Sequence, residues 1–208
     1  MKLIRRTFFL FLSFFAITFI ANSNVSAEGE FAADYDVVYD VDINGKTKVS
    51  QNISLENNTS RFYATKFNLS LGQTKPENIS ASDLSGPLEV EQTFENNKTQ
   101  LAVTFNQRVV GLGKKLNWKL NYDANELTVK NGIIWEISIP KLSKTDEVRT
   151  YNVHMAVPDS FGPVAFINPE PTKTEKATIN GVAKTIYSFD VAKISQKGVS
   201  SSFGEKQI

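Results

Sequence analysis

Cysteine is absent from all 208 residues, and histidine occurs once, at His154. The first absence excludes a disulfide framework, a thiolate metal site and a cysteine nucleophile. With a single imidazole, no cluster of histidine ligands can form either. Also missing is a sustained 3.6-residue apolar stripe: no window of a dozen residues carries one, so helix is expected to be scarce. Charge of one sign is lacking as well. Lys2, Arg5 and Arg6 account for three of the 23 basic residues, leaving 20 against 22 acidic ones in the rest of the chain. So balanced a chain has no electrostatic footprint for nucleic acid.

The one long apolar run lies at the amino terminus. MKLIRR precedes TFFLFLSFFAITFIA (Thr7 to Ala21), and a polar NSNVSA follows. A basic start, an apolar centre and small residues at Val25 and Ala27 describe a secretory signal peptide over residues 1–27. The run is shorter than the roughly 20 residues of a spanning helix, so cleavage after Ala27 is expected instead of a retained anchor. The expected location is extracytoplasmic, either secreted or at the cell surface, without membrane insertion after cleavage.

From residue 28 onward the apolar period is two. Tyr35, Val37, Tyr39 and Val41 alternate with Asp36, Val38, Asp40 and Asp42; Val49, Gln51, Ile53 and Leu55 repeat the pattern after Asn44-Gly45. The same alternation returns around Phe67, Val103, Trp118, Trp135 and Val153. Asn/Gly/Pro breakers separate these runs at Asn57-Asn58, Ser85-Gly86-Pro87, Asn96-Asn97, Gly111 to Gly113, Asn131-Gly132 and Asn180-Gly181. Short strands with turn chemistry at regular spacing predict an all-β fold, an antiparallel β-sandwich of immunoglobulin-like or related form, over residues 28–195. Trp118 and Trp135 share register with aliphatic neighbours, which predicts burial of both. Phe161 to Asp190 carries three prolines in its first eleven residues. It is expected to be an extended connection into a hairpin at Asn180-Gly181, since proline donates no ladder hydrogen bond. Residues 196–208, rich in Gly and Ser, are expected to be a poorly packed linker or the truncated start of a second β domain.

Chemistry-bearing motifs are sparse. DVDING places Asp40, Asp42, Asn44 and Gly45 as in the first half of a calcium loop, but position twelve is Gln51 in place of a bidentate Glu, and Lys46 and Lys48 bring positive charge. A hairpin turn accounts for the same residues without metal. GLGKK (Gly111 to Lys115) lacks the hydroxyl residue and the helix of a phosphate loop, so an inter-strand turn is expected. His154 has the parity of an outward-facing residue, and no serine stands in a nucleophile elbow. Asn52, Asn57, Asn58, Asn68, Asn78 and Asn97 open glycosylation sequons. No catalytic or cofactor-binding residue and no cofactor is expected.

YDVVYDVDINGKTKVSQNISLENNTSRFYATKFNLSL, GLGKKLNWKLNYD, NGIIWEISIPKL and YNVHMAVPDSFGP with FINPEP, taken in this order, resemble the amino-terminal all-β region of exported bacterial transglutaminase-like proteins. The resemblance implies a further β domain and a papain-like Cys-His-Asp core downstream. No residue of this chain matches that core. The expected role is a non-catalytic accessory or presentation module. Its partners would be downstream domains or cell-surface components; the alternative is a standalone adhesin-like or carbohydrate-binding module.

Overall fold

The computed structural model describes residues 29–141, 147–190 and 198–204. The predicted signal peptide therefore lies outside the described residues. Fourteen strands follow one another: β1 (Phe31–Val41), β2 (Thr47–Asn57), β3 (Tyr63–Gly72), β4 (Glu77–Asp83), β5 (Gly86–Glu95), β6 (Lys98–Val110), β7 (Lys115–Asp123), β8 (Thr128–Asn131), β9 (Ile134–Ile139), β10 (Val148–Pro158), β11 (Val164–Asn168), β12 (Lys173–Ile179), β13 (Val182–Phe189) and β14 (Val199–Phe203). Two 3-10 turns, Asn125–Leu127 and Asp159–Phe161, are the helical elements described.

Ten strands form one sheet in the order β12-β13-β10-β1-β2-β7-β4-β5-β6-β3, and four form a second in the order β11-β14-β9-β8. The chain is an all-β sandwich, as its alternation predicts. β5 turns a corner: Pro87 and Leu88 pair with β4, whereas Glu89 to Glu95 pair with β6. β3 and β6 thereby fold back over the broad sheet. Phe67 of β3 and Phe105 of β6 set their rings edge-on to Trp118 of β7, at 5.5 and 5.9 Å. The four-stranded sheet covers the other part of the same face, where Tyr187 of β13 meets Phe203 of β14 at 5.7 Å. Among the described strands one pairing is parallel, β1 with β10, which sequence alternation alone does not disclose.

The core lies between these layers. Val37, Val41, Leu101, Val103, Leu120, Val153 and Met155 are fully buried. Removal of this much apolar surface from water is the main drive for folding. Turns follow their sequence signals: Asn96 and Asn97 both have positive φ, 51° and 59°, and Asn180 and Gly181 have 52° and 80°, the geometry of a tight two-residue hairpin.

Three expectations are corrected. Residues 199–203 are not a loose linker: β14 is an internal strand of the small sheet, hydrogen-bonded to β11 on one side and β9 on the other. Val199, Ser201 and Phe203 alternate inward, and their burial offsets the ordering entropy that the serines cannot. Residues 196, 197 and 205–208 lie outside the described residues. The proline-rich connection contains strand β11, placed at a sheet edge between Pro163 and Pro169, where proline is tolerated. Trp135 is only half-buried; it lies flat on Phe161 with ring centroids 4.0 Å apart, while Lys130 stands 5.0 Å over it. Trp118 is buried as expected, at 3% exposure.

Candidate functional site

Because one face of the broad sheet is covered, the other presents every second residue of six strands to solvent. Register aligns them in rows. Thr150, Asp34, Ser54 and Asn117 form the first; Asn152, Asp36, Asn52, Lys119 and Ser82 the second; Ser188, His154, Val38, Ser50 and Asn121 the third. The rows are almost wholly amides, hydroxyls and charges. A groove of about 550 Å³ runs over the first two rows, lined by Asp34, Asp36, Asn52, Asn117, Lys119 and Asn152 among others.

At one end of this face Arg149 chelates Asp34 and also bonds Glu56 at 2.7 Å; Thr150 Oγ1 donates to Asp34 at 2.9 Å, and Lys115 approaches Glu56 at 3.3 Å. The hydrogen bonds from Arg149 hold the carboxyls of Asp34 and Glu56 below their usual range, and the two carboxylates hold the guanidinium pKa up. At the middle, the sole histidine finds partners that sequence spacing hides. His154 Nε2 lies 3.1 Å from Asp36 Oδ1, and Nδ1 lies 2.8 Å from Ser188 Oγ. A carboxylate only accepts, so Nε2 carries the proton toward Asp36, and in the neutral ring Nδ1 accepts from the serine hydroxyl.

That order of serine, imidazole and carboxylate mimics a hydrolytic triad, yet the surroundings do not serve one. Ser188 lies on a flat strand flanked by β10 and β12, and the amides of β13 are taken up by those two ladders. Amides engaged in a ladder are not free to donate to an oxyanion, and acyl transfer depends on such donors more than on any other single feature. The described residues form a β unit without visible catalytic features.

The calcium-loop residues do not converge. The Asp40 carboxylate is bound by Lys184, a lysine only 3% exposed whose Nζ also donates to the Val41 carbonyl at 2.8 Å. Asp42 Oδ1 accepts from the Asn44 and Lys46 amides at 2.8 and 2.9 Å, and Asn44 is exposed. Gly45, at φ +83°, brings the turn against Trp135, where an added Cβ would lie 2.6 Å from Cζ3. The motif is thus a turn braced from both sides. Among the described residues, no group of three or more His, Asp or Glu is placed to hold a metal.

Sequence reading missed two buried polar features. Tyr39, Gln51, Tyr122 and Tyr151 gather in the core, with Gln51 Nε2 donating to Tyr122 Oη at 3.0 Å. Desolvation raises the pKa of all three phenols, that of Tyr151 to about 12. Asn57, fully buried, donates from Nδ2 to the carbonyls of Phe62 and Val109 at 2.8 and 3.0 Å. It opens a sequon, but its amide is already used. Their periodicity is that of any apolar core residue, which left no signal of the polar role.

No family model and no curated protein matches the chain. Solved structures do. This fold is similar to part of a two-domain M1 zinc metallopeptidase bound to L-tryptophan: TM-score 0.50 at 11% identity, covering 85% of this chain and 43% of that one. The M1 zinc metallopeptidase of Deinococcus radiodurans with a Tyr-Ser-Ala substrate gives TM-score 0.51 at 12% identity, over 84% and 42%. The chain thus spans less than half the length of these peptidases. At such identities the likeness is one of fold.

Proposed function

We infer that this chain is an exported, non-catalytic β-sandwich module that stands beside a catalytic domain in a longer protein at the cell surface. The observation that carries this reading is coverage: the fold takes in 84 to 85% of this chain but only 42 to 43% of the similar metallopeptidases, so an equivalent module there accompanies further chain. The site chemistry agrees with it. His154 is satisfied by Ser188 and Asp36, and Ser188 sits in a strand paired on both sides. The segment resemblance makes the companion a transglutaminase-like core, and the fold likeness offers a zinc metallopeptidase as the second candidate.

Reading the gene beyond Ile208, with the intact mass of the native protein, tests this. An open frame leading to a Cys-His-Asp core supports the transglutaminase-like companion, and a helix bearing H-E-x-x-H supports the peptidase one. A stop codon directly after Ile208, with a native mass equal to residues 28–208, overturns both. The polar groove over Asp36, Asn52 and Asn152 then favours the standalone carbohydrate-binding reading, to be checked by glycan titration against Asn52→Ala/Asn152→Ala.

A further inference from the structure

We propose that the end of the sandwich formed by the β2–β3 and β6–β7 turns docks on an anionic phospholipid surface. Residues 57–66 and 107–117 carry Arg61, Lys66, Arg108, Lys114 and Lys115 and no acidic residue, in a chain whose overall charge is nearly balanced. Between these cations the same turns expose large apolar side chains: Phe62 at 51%, Tyr63 at 52%, Val110 at 56% and Leu112 at 68%. Register brings the two turns side by side, with Tyr63 paired to Val110.

The tip is built, not loose. Buried Asn57 bonds both turns: its Nδ2 holds the Phe62 and Val109 carbonyls, its backbone NH donates to Lys114 O at 2.9 Å, and its carbonyl accepts from Gly113 N at 2.7 Å. Gly111 and Gly113, both at positive φ, set Leu112 at the apex of the second turn, closed by Lys114 N to Gly111 O at 3.2 Å. Lys115 is paired to Glu56 and Lys66 to Glu91. Arg61, Arg108 and Lys114 make no ion pair among the described residues, although Arg108 stacks over Tyr63 at 5.1 Å. Of the carboxylates nearby, Asp34 and Glu56 are held by Arg149; Glu30 and Glu147 are also exposed at this end.

Exposed aromatic and aliphatic side chains interleaved with unpaired cations are the chemistry of an interface whose headgroups are anionic and whose interior is apolar. Chain entry points the same way. Asn58 N and Nδ2 donate to the carbonyls of Glu30 and Gly29, at 2.9 and 3.2 Å, so the described fold begins at this very tip, directly after the apolar leader of residues 1–27. On the exported reading proposed above, this end of the fold lies next to the leader's cleavage point after Ala27. The docking is peripheral: among the described residues no helix is long and apolar enough to cross a bilayer.

The test is co-sedimentation of the chain from residue 28 onward with vesicles of phosphatidylcholine alone or with about 30% phosphatidylglycerol. Each unpaired cation near such a surface strengthens binding about fivefold, so the preference for anionic vesicles is about a hundredfold for three. Arg61→Ser/Arg108→Ser/Lys114→Ser is expected to remove that preference, as is salt of about 0.5 M. Equal binding of the triple variant and the unaltered chain to anionic vesicles overturns the proposal. Phe62→Trp in an otherwise intact chain gives a second readout: a blue-shifted emission quenched by brominated lipid is expected, and an unshifted, unquenched emission refutes it. Tight binding of polyglutamate with indifference to vesicles assigns the tip to an acidic protein and also refutes it.

Discussion

Replacing Phe203 by alanine tests the integral role of the carboxy-terminal strand. Phe203 is 1% exposed, packs on Tyr187 of the facing sheet at 5.7 Å, and sits in register between Val164 and Trp135. Gly204 beyond it donates to the Pro163 carbonyl at 2.9 Å, leaving the site little room to collapse. A buried Phe→Ala change with a cavity costs about 3 to 5 kcal/mol, a large share of the about 5 to 15 kcal/mol that holds such a domain together. At about 2 to 4 °C per kcal/mol for a domain of this size, the melting temperature should fall by about 6 to 20 °C. Urea denaturation followed by far-UV circular dichroism should show a lower midpoint with an unchanged slope. Removal of residues 198–208 should do more damage, since among the described residues β11 has no ladder partner other than β14. If that truncation, made by proteolysis near Lys197 or by a stop codon, leaves the melting temperature unchanged, the strand is dispensable and the reasoning is wrong.

Three further outcomes are expected. Asp34 and Glu56 have folded-state pKa values lowered by Arg149, so their stabilising share is present above the ordinary values of 3.8 and 4.5 and lost as pH falls through the folded ones. Arg149→Gln should therefore be less stable at neutral pH and converge on the unaltered protein in acid; parallel pH curves would exclude the linkage. Asn57→Ala leaves the Phe62 and Val109 carbonyls without their donor and should cost about 1 to 3 kcal/mol in chemical denaturation, whereas a loss within experimental error would mean water replaces the amide. The indole Nε1 of Trp118 is buried with no partner among the described residues, so Trp118→Phe should lose less than half the about 3 to 5 kcal/mol lost by Trp118→Ala; equal losses would contradict it.

The sequence by itself determined the strands, most turns and which face of each strand is apolar. Period-two alternation in Tyr35, Val37, Tyr39 and Val41, broken by Asn-Gly and Asn-Asn pairs, dictates local backbone and sidedness, and the buried set follows it. It determined too that the calcium-like turn is incomplete. What only the tertiary structure decided is which strands become neighbours. The parallel pairing of β1 with β10 and the capture of β14 between β11 and β9 join residues far apart in the chain, and alternation is the same whichever partner a strand takes. For the same reason the Asp36, His154 and Ser188 group was invisible: its members come from three strands, and only register sets them side by side. Serines 200 to 202 read as linker because composition counts side chains; inside a sheet, a serine-rich strand is held by its backbone hydrogen bonds and by Val199 and Phe203 at its ends.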